Sequence, residues 1–497
     1  MNSKILLIFV WCLSVLHAYP QDQEKAKLTT FHSISSHDLL SYVTELSSPH
    51  YQGRLSGSPG YHAAANWIAN QLKEAGIKPG AENNDYFQYF PNAYSEVFSP
   101  GSLTLLAGKD NTKKEYKFPD DYFPGSNSAS GTVSAEVVYV GYGITAPEFG
   151  YDDYKGIDVK GKIILLEYGI PYSKNDSTLL RWEPYTKSQY KLAKAKELGA
   201  IGVLYVGRTA NPSVIHLDPL IYINIDEKVA EDLFLGSGKK YSEMRGLIAK
   251  NNNQPISFSL HKKLKIKAST KYHPDAQSCN VIGIIEGSDP KLKDEAIIVG
   301  AHLDACGSPG SLFPGALDNG SGSSDILATA KALAASTIKP ARTIIFIFFG
   351  GEECGLFGSK KYVESPIWPQ NKVICMINLD MVGNGTGFNF ANGKSFPELF
   401  HHFADANDHY IHRDMISSEY HYNYGRPRTD GAIFEKKGYK SLGLWTSGTV
   451  KKVFYHQPWD NIDGLTPEIM EDAAKMLYLG ILSLSNDQTV KPAEIVK

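Results

Sequence analysis

Two runs decide how this chain is read: Ala296-Ile-Ile-Val-Gly-Ala301, followed at once by His302 and Asp304, and Thr343-Ile-Ile-Phe-Ile-Phe-Phe349, followed by Gly350-Gly351-Glu352-Glu353. Each is apolar almost throughout, without the in-and-out alternation of a sheet that has one wet face. Short runs of this kind predict strands buried on both sides. Between them, Asp325–Ala335 is rich in Ala and Leu and reads as a helix. Val373–Leu379 and Leu442–Trp445 supply two further strand candidates. Strand alternating with helix predicts an α/β fold, a mixed, largely parallel sheet flanked by helices.

Outward from this centre the texture changes. Tyr61–Ala75 carries Trp67, Ile68, Leu72 and Ala75 at helical spacing and stops before Gly76, a C-cap signal. From about residue 98, short β-like runs are punctuated by Gly and Pro, among them Ala135–Gly141, Lys162–Glu167 and Gly202–Val206, with a helix expected over Lys191–Leu198. Residues 98–265 are therefore expected to be a β-rich domain inserted into the first, with Pro274 near the return. The expected division is 1–18 leader, 19–97 amino-terminal part of the main domain, 98–265 insertion and 266–497 the rest. No internal repeat is visible.

The chain has 497 residues, 42% hydrophobic and 21% charged, enough for a large core. A net charge of −3 and the absence of any Lys/Arg run argue against nucleic acid or an anionic membrane as partner. Lys4 followed by the apolar run Ile5–Leu16 and Leu16-His17-Ala18 has the layout of a cleaved secretory signal peptide, which predicts a secreted or periplasmic protein. The run is shorter than the ~20 residues a membrane span needs. Beyond it stand Cys279, Cys306, Cys354 and Cys375, with no CxxC pair and no spacing that names a partner.

In an open parallel sheet, ligands gather at the carboxyl ends of the strands. Just past the candidate strands come His302 and Asp304, then Glu352 and Glu353, then Asp380, then Tyr455 and His456. Asp318 sits in a Gly-rich loop before the Asp325 helix. Taken singly, such residues are commonplace. Together they crowd carboxylates at a dry sheet edge, where mutual repulsion and desolvation are costly. A dication removes that cost, and imidazole nitrogen with carboxylate oxygen is a donor set zinc accepts.

The series His302-Leu-Asp304, Asp318-Asn319, Glu352-Glu353, Asp380-Met-Val-Gly and Tyr455-His456-Gln-Pro-Trp-Asp460 resembles the M28 family of co-catalytic zinc aminopeptidases, in order and over essentially all of 266–485. The block Gln52-Gly-Arg-Leu-Ser-Gly-Ser58 extends the likeness, and Val138–Gly161 resembles the protease-associated (PA) insertion of some members. The resemblance implies two Zn2+ ions and peptide or protein amino termini as substrate. Asp318 would bridge the ions, His302 and Asp380 would complete one site, and Glu353 and His456 the other. Asp304 would orient His302, Glu352 would be the general base, and the Tyr455 hydroxyl would hold the oxyanion. It further implies a cis bond between Asp318 and Asn319. One departure stands out: where the family commonly has Ser-Asp-His, this chain has Thr429-Asp430-Gly431, with Arg426 and Arg428 in the same loop.

The same scaffold admits a carboxypeptidase or dipeptidase, or a single-zinc glutaminyl cyclase. A non-catalytic binding protein is the reading from another class. Retention of all five candidate ligands and Glu352 speaks against the last, and the PA-like stretch favours a peptidase over a cyclase.

Overall fold

The computed structural model describes residues 22–106, 113–171, 179–250, 254–419 and 428–493. The expected leader, 1–18, and Arg426 lie outside the described residues.

The main sheet has nine strands. In chain order these are β1 (Lys78–Pro79), β2 (Phe87–Pro91), β3 (Gln277–Ile285), β4 (Ala296–His302), β5 (Thr343–Phe349), β6 (Val373–Leu379), β7 (Gly387–Ala391), β8 (Asp414–Ser417) and β9 (Ser441–Ser447). Their spatial order is β1-β3-β5-β4-β6-β9-β7-β8, with β2 also paired to β3. The four central strands β5, β4, β6 and β9 run parallel, whereas β3 and β7 flank them antiparallel.

Burial explains the unbroken apolar runs. Along β4, Ile297, Val299 and Ala301 face a core made with helices Ser36–Leu46, Pro59–Glu74, Gly322–Ala335, Pro397–Ala406 and Pro467–Asn486. Ala296 and Ile298 face the opposite core, which contains Tyr362 and Phe434 from helices Phe357–Glu364 and Asp430–Lys436. Every apolar side chain of β4 and β5 is thus inside one core or the other, and alternation vanishes from the sequence.

The helix expected at Tyr61–Ala75 starts two residues earlier, at Pro59. Ser58 caps it by accepting the Tyr61 N–H at 3.3 Å, and Gly76 follows with φ 72°.

A second sheet of eight strands is built almost wholly from the expected insertion. Its longest strands, Tyr94–Leu106 and Phe258–His273, pair antiparallel from Tyr94↔His273 to Leu106↔Lys263. The expected boundaries at 98 and 265 fall inside these two strands, so boundaries at Tyr94 and His273 keep the sheet whole. The sequence hid this because Ser, Lys and Thr line one face of the pair, and its texture there is that of a loop. No helix among the described residues is long and apolar enough to cross a membrane. The four described cysteines are buried and unpaired.

Candidate metal centre

Register delivers the first groups. His302 pairs with Phe349 across β4–β5, and Gly300 with Asn378 across β4–β6. The ends of three adjacent strands are therefore level, with His302 in the middle, Glu352 and Glu353 on one side and Asp380 on the other. The wide helical turn Ala316–Ser321 brings Asp318 above them, and the Asp318–Asn319 bond is cis. Two amides fix this turn: the Leu317 and Asp318 N–H groups donate to the two carboxylate oxygens of buried Asp460, at 2.9 and 3.1 Å. Asn319 donates to the Leu379 carbonyl at 2.9 Å and ties the turn to the end of β6.

The five candidate ligands converge. Asp318 presents one oxygen to each imidazole, Oδ1 at 3.2 Å from His302 Nε2 and Oδ2 at 3.5 Å from His456 Nε2. Asp380 Oδ1 lies 3.6 Å from His302 Nε2, and Glu353 Oε2 lies 2.9 Å from His456 Nε2. Both imidazoles are oriented in the same way. His302 Nδ1 is 3.1 Å from the Asp304 carbonyl, and His456 Nδ1 is 2.8 Å from the Ala210 carbonyl. A carbonyl only accepts, so each ring carries a proton on Nδ1 and points its Nε2 inward.

Asp304 meets His302 through its main chain. Its carbonyl, not its carboxylate, takes the His302 N–H. The carboxylate, 3.8 Å from that nitrogen, instead accepts the Glu352 and Glu353 N–H groups at 3.1 and 3.2 Å. Both amides lie in the turn after β5, where Gly351 has φ 69°. Tyr455 lies with its ring stacked on His456 at 3.7 Å and is half-exposed. Glu352 groups with His302 and Glu353, one donor atom from each within 4.8 Å of the others.

Electrostatics favour a cation here. Burial pushes the Asp304 and Asp460 carboxyls up to about 7 and Asp430 up to about 6. Burial alone would lower His302, but Asp318 and Asp380 on its Nε2 outweigh it and hold it above the usual imidazole range. His456 Nε2 is buried and faces Glu353 Oε2 and Asp318 Oδ2. Two buried imidazole nitrogens, each facing two carboxylates, fit a divalent metal of zinc type.

Four groups escaped the sequence reading. Cys306 lies against His456 and Glu353, with donor atoms of all three within 4.8 Å. Asp460 and Arg54 stood in the quoted motifs, but without a role. Arg54 is fully buried and donates to four carbonyls, those of Leu303, Leu46, Pro314 and Gly315, at 2.6 to 2.8 Å. Beside it, Gly53 has φ 70°, and a Cβ there would sit 2.1 Å from the Gly307 oxygen. The Gln52–Ser58 block thus clamps the loop between β4 and Asp318. Arg54→Met strands the four carbonyls, and we expect about 3–5 kcal/mol of lost stability by urea denaturation.

The fourth group, Ala210, gave no signal, because it acts through its backbone. Its N–H donates to the His456 carbonyl at 3.0 Å while its carbonyl takes the His456 ring N–H. Ala210→Pro deletes that N–H, and metal affinity is expected to fall roughly 10–100-fold by chelator competition. Ala210→Ser, which keeps both backbone groups, should leave affinity near wild type. Gly431, the departure from the family pattern, has a packing reason: a Cβ there would sit 2.9 Å from Ser441 Oγ and 3.1 Å from Asn378 Cβ. Arg428 is exposed.

A parallel sheet whose strand ends gather two imidazoles and several buried carboxylates defines a metal-centre protein of the α/β class. Residues 280–479 match the model of Peptidase family M28. It is 28% identical over 384 residues to Aminopeptidase YwaD of Bacillus subtilis, covering 74% of this chain and 72% of that protein. It is 25% identical over 359 residues to an aminopeptidase of Pseudomonas aeruginosa, covering 71% and 58%. A glutamate carboxypeptidase 2 homolog of Caenorhabditis elegans is 24% identical over 476 residues, covering 76% and 57%. The chain therefore spans just under three-fifths of the last two proteins. Among solved structures, the aminopeptidase from Aneurinibacillus sp. strain AM-1 superposes with TM-score 0.62 at 22% identity, over 95% of this chain and 97% of that one. The zinc aminopeptidase of Bacillus subtilis gives 0.59 at 20%, over 93% and 99%. At these identities the shared property is the fold.

Proposed function

We propose that this chain is an exported zinc exopeptidase that removes residues from the amino end of peptides, with two zinc ions at the strand ends. The carrying observation is Asp318, whose two carboxylate oxygens face different imidazoles, His302 and His456. Asp318 would touch both ions, His302 and Asp380 would complete one set, and Glu353 and His456 the other. Bound there, the ions would acidify a water and polarise the scissile carbonyl. Glu352 takes the water's proton and passes it to the leaving amine. Its backbone is held for this by the Asp304 carboxylate. The Tyr455 hydroxyl donates to the oxygen that gains charge. The relatives named aminopeptidases support this choice of peptide end, the apolar run near the amino terminus supports export, and the 98–265 region is read as PA-like.

The test compares a peptide with a free amino terminus against its acetylated twin. Release of the first residue from the free peptide alone is expected. Equal cleavage of both, release from the carboxyl end, or cyclisation of an amino-terminal glutamine would each replace this reading with one of its rivals. Chelation should abolish turnover, and added zinc should restore it at a ratio of two per chain.

A further inference from the structure

A second group of metal-ligating side chains stands apart from the strand ends, where helix Pro397–Ala406 meets the chain leaving helix Pro467–Asn486. It consists of His401, His402 and Asp487, and one donor atom from each lies within 4.8 Å of the others. His401 is exposed, whereas His402 is 5% exposed.

Each of the three is already tied through the atom it does not need. His401 Nδ1 lies 3.2 Å from the Pro397 carbonyl, one turn back on its helix. His402 Nδ1 lies 2.8 Å from Ser483 Oγ. Asp487 Oδ1 accepts from the Thr489 N–H and hydroxyl at 2.8 and 2.7 Å. What remains is Nε2 on both rings and Oδ2 on the carboxylate, and Oδ2 is 3.3 Å from His402 Nε2. That buried Nε2 has no hydrogen-bond partner. Anchoring the far nitrogen is how metal-binding imidazoles fix tautomer and aim.

Asp487 is held in place as well. Buried Arg342 donates to the carbonyls of Asp487 at 2.6 Å and Leu484 at 3.1 Å, and its Nε reaches Glu295 Oε2 at 2.8 Å.

We propose that His401, His402 and Asp487 form a separate, peripheral site for a zinc-type divalent cation, fastening the chain after its last helix to helix Pro397–Ala406. Two imidazoles and one carboxylate suit zinc, nickel or copper, not calcium or magnesium, and leave a position for water. The site shares no residue with the strand-end centre, so it stands whether or not the aminopeptidase reading does.

The experiment adds Zn2+ to the zinc-loaded holoenzyme and reads metal content by mass spectrometry, melting temperature and turnover. Wild type is expected to hold one more zinc per chain than His401→Ala, and to melt higher with added Zn2+ while the variant does not respond. Zinc affinity of this extra ion should fall roughly tenfold or more in His401→Ala, with turnover unchanged. Asp487→Asn should lose the same ion. His401 is exposed, so its variant decides the matter even where a His402 variant fails to fold. Equal zinc content and an equal thermal response in wild type and His401→Ala would overturn the site.

Discussion

Asp318→Ala is expected to empty the strand-end centre and lower kcat on a leucyl or alanyl amide by on the order of 10⁴-fold or more, about 5.5 kcal/mol of transition-state stabilisation. The reason is that its two oxygens face His302 Nε2 and His456 Nε2. Removing that carboxylate weakens both halves of the donor set, whereas loss of Asp380 or Glu353 would touch one. Zinc content should fall for both ions together. The surrounding turn should survive, because Asp460 holds it through the Leu317 and Asp318 amides, which alanine retains. Retention of two zinc ions and near-normal turnover in this variant would end the bridging assignment.

Glu352→Gln is expected to behave differently: zinc content and KM unchanged, kcat lower by roughly 10²–10⁴-fold. Gln keeps the size of Glu and the amide held by Asp304 Oδ1, so geometry persists. It cannot accept a proton from water, so only the proton transfer is lost. If one zinc left together with the rate, Glu352 would be a ligand and not a base.

Much of this centre was legible because strand ends are a readable coordinate. An apolar run as dense as Thr343–Phe349 has to be buried on both faces, and the polar residue that ends it marks the rim. Glu352, Glu353, His302 and Asp380 were found in that way. His456, past the last strand, was reached in the same way and Asp318 stood in a Gly-rich loop, but their sharing between two ions came from the family resemblance. The sequence hid whatever acts through the main chain. The Asp304 carbonyl and the Ala210 carbonyl set the two imidazole tautomers, and no side-chain pattern announces either. Short strands such as β1, β7 and β8 were illegible too, since a handful of residues carries no period. The margins of the insertion blurred because the Tyr94–Leu106 and Phe258–His273 pair has a polar face there.

The pair of hydrogen bonds between Ala210 and His456 has a consequence for the order in which the protein matures. Ala210 belongs to the second sheet's half of the chain, yet it supplies both partners that aim a donor of the first. The region around Ala210 must be seated before that imidazole is set, so zinc uptake at the proposed centre would report its seating as well as that of the main sheet. A nick or truncation in the insertion would then register as lost zinc, not as altered substrate choice.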